Sequence, residues 1–488
     1  MPDGKCVQLE VEEPPKDAGS GCIKIRYIQI VLLFFLLVIM LNMRLCLSIG
    51  IVAMTTNGTS SNPDVPYYKW DNSNIILSSF YWSYAVLQFV AGNFIHKFGT
   101  KKILFVATFM NALSSALIPV TAQHVGANGV MALRVVQGLF QGFLLPCMNG
   151  VLGRWLPPHE LSSWSSVVFA GYQVGAILSS VITGYLSASL WGWPAAFYLF
   201  ALLGFVWCIF WVIFSAETPA AHSSISTEER KYIEHSLGQQ NDHLLDKKSI
   251  PWMAIMRSVP YWAVIIAAVG ESWTTTFLTA ELPSYLSYAV GLNIKDSSLF
   301  TAAPTVGALI GSLLYSPIAG YTIRKGWITT RSSRRIFQGF SMFSVSIGFL
   351  SLSYVEDRVL IAVLLIVSYT ASSAVTSGHI VNLIDLSPRY AAILSGISNG
   401  IGQLIAIFAP ILVHFIVVDE GNRFSWRYTF FLSAIIGSAA TIVFIVFCSA
   451  ERQWWDDVDK IKMERKTKED KSNQGESNPG FEENDVAC

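Results

Sequence analysis

The chain has 488 residues, 52% of them hydrophobic and only 14% charged, with 33 basic residues balancing 33 acidic ones. A soluble domain carries about 25% charged residues, so this composition excludes a soluble enzyme, and a net charge of zero supplies no global field to draw the chain to nucleic acid. Half of such a chain is enough apolar sequence for about twelve membrane helices of about 20 residues each.

The first 27 residues are polar and mixed in charge, and the apolar run after them is too long for a signal-peptide core, so it reads as a first membrane helix. Apolar windows predict helices over 28–54, 75–96, 102–124, 127–153, 164–188 and 193–216, then over 260–290, 297–323, 334–354, 358–384, 390–417 and 427–450. The polar stretch 217–259 separates the two sets and holds Ser226-Thr227-Glu228-Glu229-Arg230, the pattern of a capped surface helix. Residues 451–488 are rich in Lys, Glu, Asn and Ser and read as a disordered tail. The expected architecture is an all-α membrane protein: an N-tail (1–27), two pseudo-symmetric six-helix bundles (28–216 and 260–450) and a central loop (217–259).

Connections on the side of the two tails carry about 26 Lys and Arg against about 5 on the other side, which places both termini in the cytoplasm. The loop after the first helix then faces outward or into a lumen, where Asn57-Gly58-Thr59 is a glycosylation sequon. Cys46, Cys147, Cys208 and Cys448 fall in apolar runs and Cys6, Cys22 and Cys488 in the tails, so no disulfide framework is expected. An internal echo links the halves. Leu156-Pro157-Pro158-His159-Glu160 after the fourth helix resembles Leu386-Ser387-Pro388-Arg389-Tyr390 after the tenth. Six plus six with a central polar loop is a transporter layout, although any polytopic protein places Pro at helix ends.

Two cations lie deep in apolar runs, Arg44 in the first helix and Arg134 in the fourth. Each costs about 2.5–3.5 kcal/mol on insertion scales, so each needs compensation. Arg44 precedes the outer end of its helix by about ten residues and Arg134 follows the outer start of its own by about seven, which puts both at about 10–15 Å depth. Paired there, two guanidinium forks suit a carboxylate or phosphate. The competing reading is that each snorkels to the interface or binds helix-end carbonyls. Gln137 and Gln141 continue the face of Arg134 toward the membrane centre and suit either a polar ligand or a neighbouring helix. In the seventh helix, Glu271 and Glu281 are candidates for proton carrier or counter-ion, with Glu281 alternatively capping a helix broken at Pro283. No Walker loop, nucleophile elbow or metal-spaced Cys/His set occurs, so an enzyme or ATP-driven pump is not expected and no resident cofactor is called for.

Gly92-Asn93-Phe94-Ile95-His96-Lys97-Phe98-Gly99-Thr100-Lys101-Lys102 resembles the loop motif of the major facilitator superfamily, departing from it at His96 and Thr100. Ala132-Leu133-Arg134-Val135-Val136-Gln137-Gly138-Leu139, Arg154-Trp155-Leu156-Pro157-Pro158-His159-Glu160 and Ser387 through Gly400 resemble the anion transporter family that contains sialin, the vesicular glutamate transporters and the sodium/phosphate cotransporters. The similarity runs from about Arg44 to about Trp455. The resemblance implies a secondary transporter of organic anions or phosphate that alternates access to a central site, with Arg44 and Arg134 facing substrate. It implies gating contacts near Arg154, Glu160, Asp385 and Arg389. Gln141 stands where proton-coupled relatives carry glutamate, which leaves Glu271 as a substitute proton carrier or leaves the drive to sodium or membrane potential. Leu161 stands where many relatives carry Arg. The expected partners are a small anionic solute and the lipid bilayer of a plasma, vesicular or lysosomal membrane, with no nucleic acid and a functional monomer. The alternative function on the same scaffold is an anion (chloride) channel or a non-transporting sensor, since buried cations also draw chloride to a pore.

Overall fold

The computed structural model describes residues 24–70, 72–244, 251–387 and 390–456. Twelve membrane-length rods follow one another: α1 (Ile25–Thr55), α2 (Ser73–Phe98), α3 (Thr100–His124), α4 (Ala127–Trp155), α5 (Pro158–Ser187), α6 (Pro194–Phe214), α7 (Val259–Ala289), α8 (Ile294–Arg324), α9 (Thr330–Leu352), α10 (Arg358–Leu386), α11 (Ala391–Ala406 continuing as Phe408–Ile416) and α12 (Arg423–Phe447). Among the described residues, eleven of these helices are long and apolar enough to cross a membrane. Helix α2 has 26 residues, enough to span at about 1.5 Å per residue, and turns Ser78, Ser79, Tyr81 and Tyr84 inward, where they are buried. No strand occurs among the described residues.

Helices α1–α6 pack round one apolar core and α7–α12 round others of their own. In α1 nearly every side chain is buried, whereas Ile209, Val212 and Ile213 of α6 are exposed, as lipid-facing residues are. The fourth rod of each bundle is broken at its middle, α4 after Gln141 and α10 after Ser372, where five residues wind as a 3-10 helix. That shared break extends the internal echo seen in sequence.

We call the face where α1 begins and α12 ends the terminal face, and its opposite the distal face. Across the distal half the bundles touch: the Thr55 and Tyr288 hydroxyls are hydrogen-bonded, and Gly184 of α5 lies against Ser298 and Ile294 of α8. Near mid-depth Asn399 Nδ2 donates to Gln88 Oε1 at 3.3 Å. At the terminal face, the ion pairs among the described residues stay inside a bundle or its attached loop: Arg26–Glu160, Arg154–Glu217, Arg334–Asp385 and Arg452–Asp456.

Two polar segments are more ordered than their composition suggests. The central loop forms the expected helix, Thr227–Leu244, capped by Ser226, whose hydroxyl accepts from Glu229 N–H at 3.1 Å. Its Glu229 carboxylate caps α1, accepting from the N–H groups of Ile25 and Arg26 at 3.1 Å each, where the helix dipole favours an anion. The expectation of a disordered tail from 451 onward fails over Glu451–Asp456. Trp455 is fully buried with Tyr261, Leu386 and Phe444, and Gln453 N–H donates to Leu386 O at 2.9 Å. One tryptophan supplies the apolar area that the surrounding polar sequence lacks. Residues 457–488 and 1–23 lie outside the described residues.

Candidate functional site

The site is built on a close helix crossing. A Cβ on Gly138 of α4 would lie 1.9 Å from the Phe80 carbonyl oxygen of α2, so only glycine lets these backbones meet. The Phe80 ring lies beside both buried arginines. The guanidinium carbon of Arg44 lies 4.8 Å from its centroid and that of Arg134 lies 4.9 Å from the same centroid. Since both distances share one endpoint, the two carbons are no more than their sum, about 9.7 Å, apart. The shared depth expected from sequence is therefore matched by shared position.

Arg44 is 9% exposed and Arg134 2%, and neither is ion-paired among the described residues. The Arg44 fork is held by the rings of Tyr81 and Tyr84 as well, at 5.0 and 5.2 Å. Its Nε and that of Arg134 lack hydrogen-bond partners. Aromatic faces offset part of the desolvation of a cation but supply no counter-charge, so the edges of the two forks suit an anion.

The two glutamines divide. Gln137 Oε1 accepts from Arg134 Nη1 at 2.9 Å, which orients the fork, and its Nε2 has no partner. Gln141 Nε2 donates to the Met40 carbonyl of α1 at 2.8 Å, so its amide ties α4 to α1. For Gln141 the neighbouring-helix alternative describes the contact.

Glu271 and Glu281 also separate. Glu271 is half-buried, accepts from Thr275 Oγ1 at 3.3 Å, and lies on one stripe of α7 with Thr275 and Thr279. The Thr279 hydroxyl donates to the Thr275 carbonyl at 2.8 Å, within the same helix. Glu281 is fully buried, and neither carboxylate oxygen has a hydrogen-bond partner. It does not cap a helix end. Despite Pro283 the rod runs on through a π-turn at Tyr285–Ala289, with Tyr285 N–H bonded to the Glu281 carbonyl.

The described gating residues pair within their own bundle or its attached loop. Arg154 pairs with Glu217 and Asp385 with Arg334, whose Nε–Oδ2 distance is 2.7 Å. Glu160 pairs with Arg26 at 3.1 Å, and Arg389 lies outside the described residues. Glu217, just beyond α6, also caps α3, accepting from Thr100 N–H at 2.9 Å and Lys101 N–H at 2.8 Å. Burial raises its carboxyl, but these N–H groups, the Thr100 hydroxyl and Arg154 outweigh burial and hold it below its ordinary 4.5. A depressed folded-state value means the contribution to stability is full above that ordinary value and is lost as pH falls through the folded one. The group is about one-third exposed, so the effect is screened: Glu217→Gln lowers the melting temperature by about 2 °C near neutral pH, and the difference shrinks below about pH 4, as a thermal-shift series would show.

Sequence reasoning missed Arg26, Glu217, Glu229 and Arg334. All lie near loops, where charges are ordinary, and their partners are remote in the chain; Arg26 and Glu229, for instance, are 203 residues apart.

The sequence profile of the Major Facilitator Superfamily matches residues 30–410. A Drosophila melanogaster protein, provisionally named an inorganic phosphate cotransporter, is 28% identical over 475 residues, covering 92% of this chain and 89% of its own length. Human vesicular glutamate transporter 2 is 30% identical over 476 residues, covering 95% of this chain and 81% of itself. The fold is similar to that of a bacterial homologue of the human lysosomal transporter Spinster, solved inward-facing and unoccupied, with a TM-score of 0.65 at 12% identity over 88% of this chain and 99% of that one. It is also similar to a D-xylose-proton symporter, with a TM-score of 0.63 at 15% identity over 87% and 98%. This chain therefore belongs to the major facilitator superfamily, as a multi-pass membrane protein of its anion-transporter family and not an enzyme.

Proposed function

We propose that this protein carries small organic anions or inorganic phosphate across a membrane by alternating access between its two bundles. The observation that carries the reading is the pair of buried guanidinium groups on one phenyl ring with no carboxylate paired to either among the described residues. The names of the relatives, a phosphate cotransporter and a vesicular glutamate transporter, support the same ligand chemistry. In this reading the terminal face is cytoplasmic, as its excess of Lys and Arg favours, and contacts across the distal half describe a carrier closed outside. The protein acts as a monomer in a plasma, vesicular or lysosomal membrane, driven by sodium, proton or membrane potential.

Reconstituted vesicles test it: saturable uptake of labelled phosphate or glutamate with counterflow supports a carrier, and uptake of neither overturns the reading. A chloride channel on this scaffold would show conductance without saturation or counterflow.

The orientation has a separate check. Asn57 is exposed on the distal loop, which is pinned by Ser60 Oγ to Ser189 O at 2.6 Å and by Trp193 Nε1 to Pro66 O at 2.9 Å. Asn57→Gln removes a glycan, so its gel mobility matches that of the glycosidase-treated unaltered protein; no mobility change on either treatment would count against a distal face turned to the lumen or exterior.

A further inference from the structure

We propose that Ile407 of α11 is a positioning residue for the anion site: packed on the rings that grip Arg44 while the distal half is closed, it tightens the site in that state, and it leaves those rings when the distal half opens. The inference rests on the reading of Arg44 and Arg134 as anion-binding groups.

Phe80, Tyr81 and Tyr84 form a buried cluster of their own, and the half-buried Ile407 packs against it. These are the three rings that lie 4.8, 5.0 and 5.2 Å from the Arg44 guanidinium carbon, and Phe80 also lies 4.9 Å from that of Arg134. The first bundle therefore supplies the cations and the rings, and the second supplies an apolar side chain against those rings. A guanidinium held by ring faces keeps the direction of its fork only while the rings keep theirs, and direction is what a bidentate contact with an anion requires.

The backbone beneath the rings is fixed within the first bundle. A Cβ on Gly138 of α4 would lie 1.9 Å from the Phe80 carbonyl oxygen, one on Gly142 would lie 3.0 Å from that of Tyr84, and Ser83 Oγ donates to Val135 O at 2.6 Å. Helix α11 is interrupted where it meets them. Pro410 has no N–H for the Ala406 carbonyl, and the rod breaks at Ile407, one residue further on. Ile407 precedes the end of α11 at Ile416 by nine residues, about 13 Å, so it lies in the distal half, where the Thr55 and Tyr288 hydroxyls join the bundles. Toward the terminal face the same seam continues as the Asn399–Gln88 hydrogen bond, a turn beyond Tyr84 on α2 and two turns before Ile407 on α11. Parting the bundles along the distal half draws Ile407 off the rings, and the Arg44 fork then loses its backing.

Binding of phosphate and of glutamate to the purified full chain tests this, read from the concentration dependence of the ligand-induced rise in melting temperature. Ile407→Ala should raise the half-saturating concentration about tenfold, the order that one ring contact to a cation is worth. Ile407→Leu, which refills the volume, should stay within about threefold of the unaltered protein, and Ile405→Ala, at a neighbour that is 40% exposed, within about twofold. Gly184→Leu adds a side chain where the bundles meet, and in that background Ile407→Ala should shift the half-saturating concentration by less than about twofold. A residue that merely packs α11 would lower the melting temperature of the empty protein and leave the half-saturating concentration unchanged. That result overturns the inference and leaves the anion reading standing, as does an equal weakening in the Gly184→Leu background or an equal weakening by Ile405→Ala. If neither anion stabilises the unaltered protein, the anion reading falls and this inference falls with it.

Discussion

Arg44→Ala and Arg134→Ala will each lower the initial rate of anion uptake by about a hundredfold or more, without lowering the melting temperature of the purified protein. The size follows from truncating one partner of a desolvated, charge-assisted contact, worth about 3 kcal/mol or more. The unchanged stability follows from the same burial. Each arginine is a buried cation with no paired carboxylate among the described residues, so replacing it removes an uncompensated charge along with its ring contacts. Arg44→Lys will not rescue uptake. Three rings grip the flat guanidinium at 4.8 to 5.2 Å, and a round ammonium neither stacks nor offers two parallel N–H donors. Gln137→Ala should fall between, at about tenfold, because it removes only the hydrogen bond that orients Arg134.

Gly184→Leu will hold the carrier open on the distal side. A Cβ at this position would lie 1.7 Å from Ser298 Oγ and 2.3 Å from Ser298 Cβ, and a Leu side chain cannot be accommodated by turning one hydroxyl. The two bundles meet at this point, so the overlap is relieved by parting them along the distal half and losing the Thr55–Tyr288 contact. Uptake should fall to background, because alternation needs both closures. A cysteine introduced for Thr55 should react with a membrane-impermeant thiol reagent from the distal side at least about tenfold faster in the Gly184→Leu background. Equal reactivity in the two backgrounds would mean that the distal contact does not close the route.

Much of this was readable from the chain because the membrane imposes a length. Lipid requires every backbone group to be satisfied within the rod, so apolar windows located the twelve helices with ends no more than six residues off. Arg44 and Arg134 stood out for the same reason, since hydrocarbon makes a cation costly. The site's other half was hidden. Phe80 looks like any apolar residue of a membrane helix, and only the approach at Gly138 shows that its ring is shared. Ser226-Thr227-Glu228-Glu229 is a capping pattern, and its serine does cap the local helix, but the glutamate serves α1 instead. Local pattern could place the carboxylate at a helix N-terminus and could not say whose. Gln141 was ambiguous because an amide serves a ligand or a backbone carbonyl equally well, and the nearness of Met40 O is a tertiary fact. In 451–456 the composition of the whole tail outweighed Trp454-Trp455, though two adjacent tryptophans are an apolar anchor in any setting.

The most direct measurement is a structure determined with the transported anion bound. The account predicts density for the anion between α1 and α4, with acidic oxygens within about 3 Å of guanidinium nitrogens of both Arg44 and Arg134, beside the Phe80 ring. An anion seated elsewhere in the molecule, with both forks unchanged and unoccupied, would contradict it.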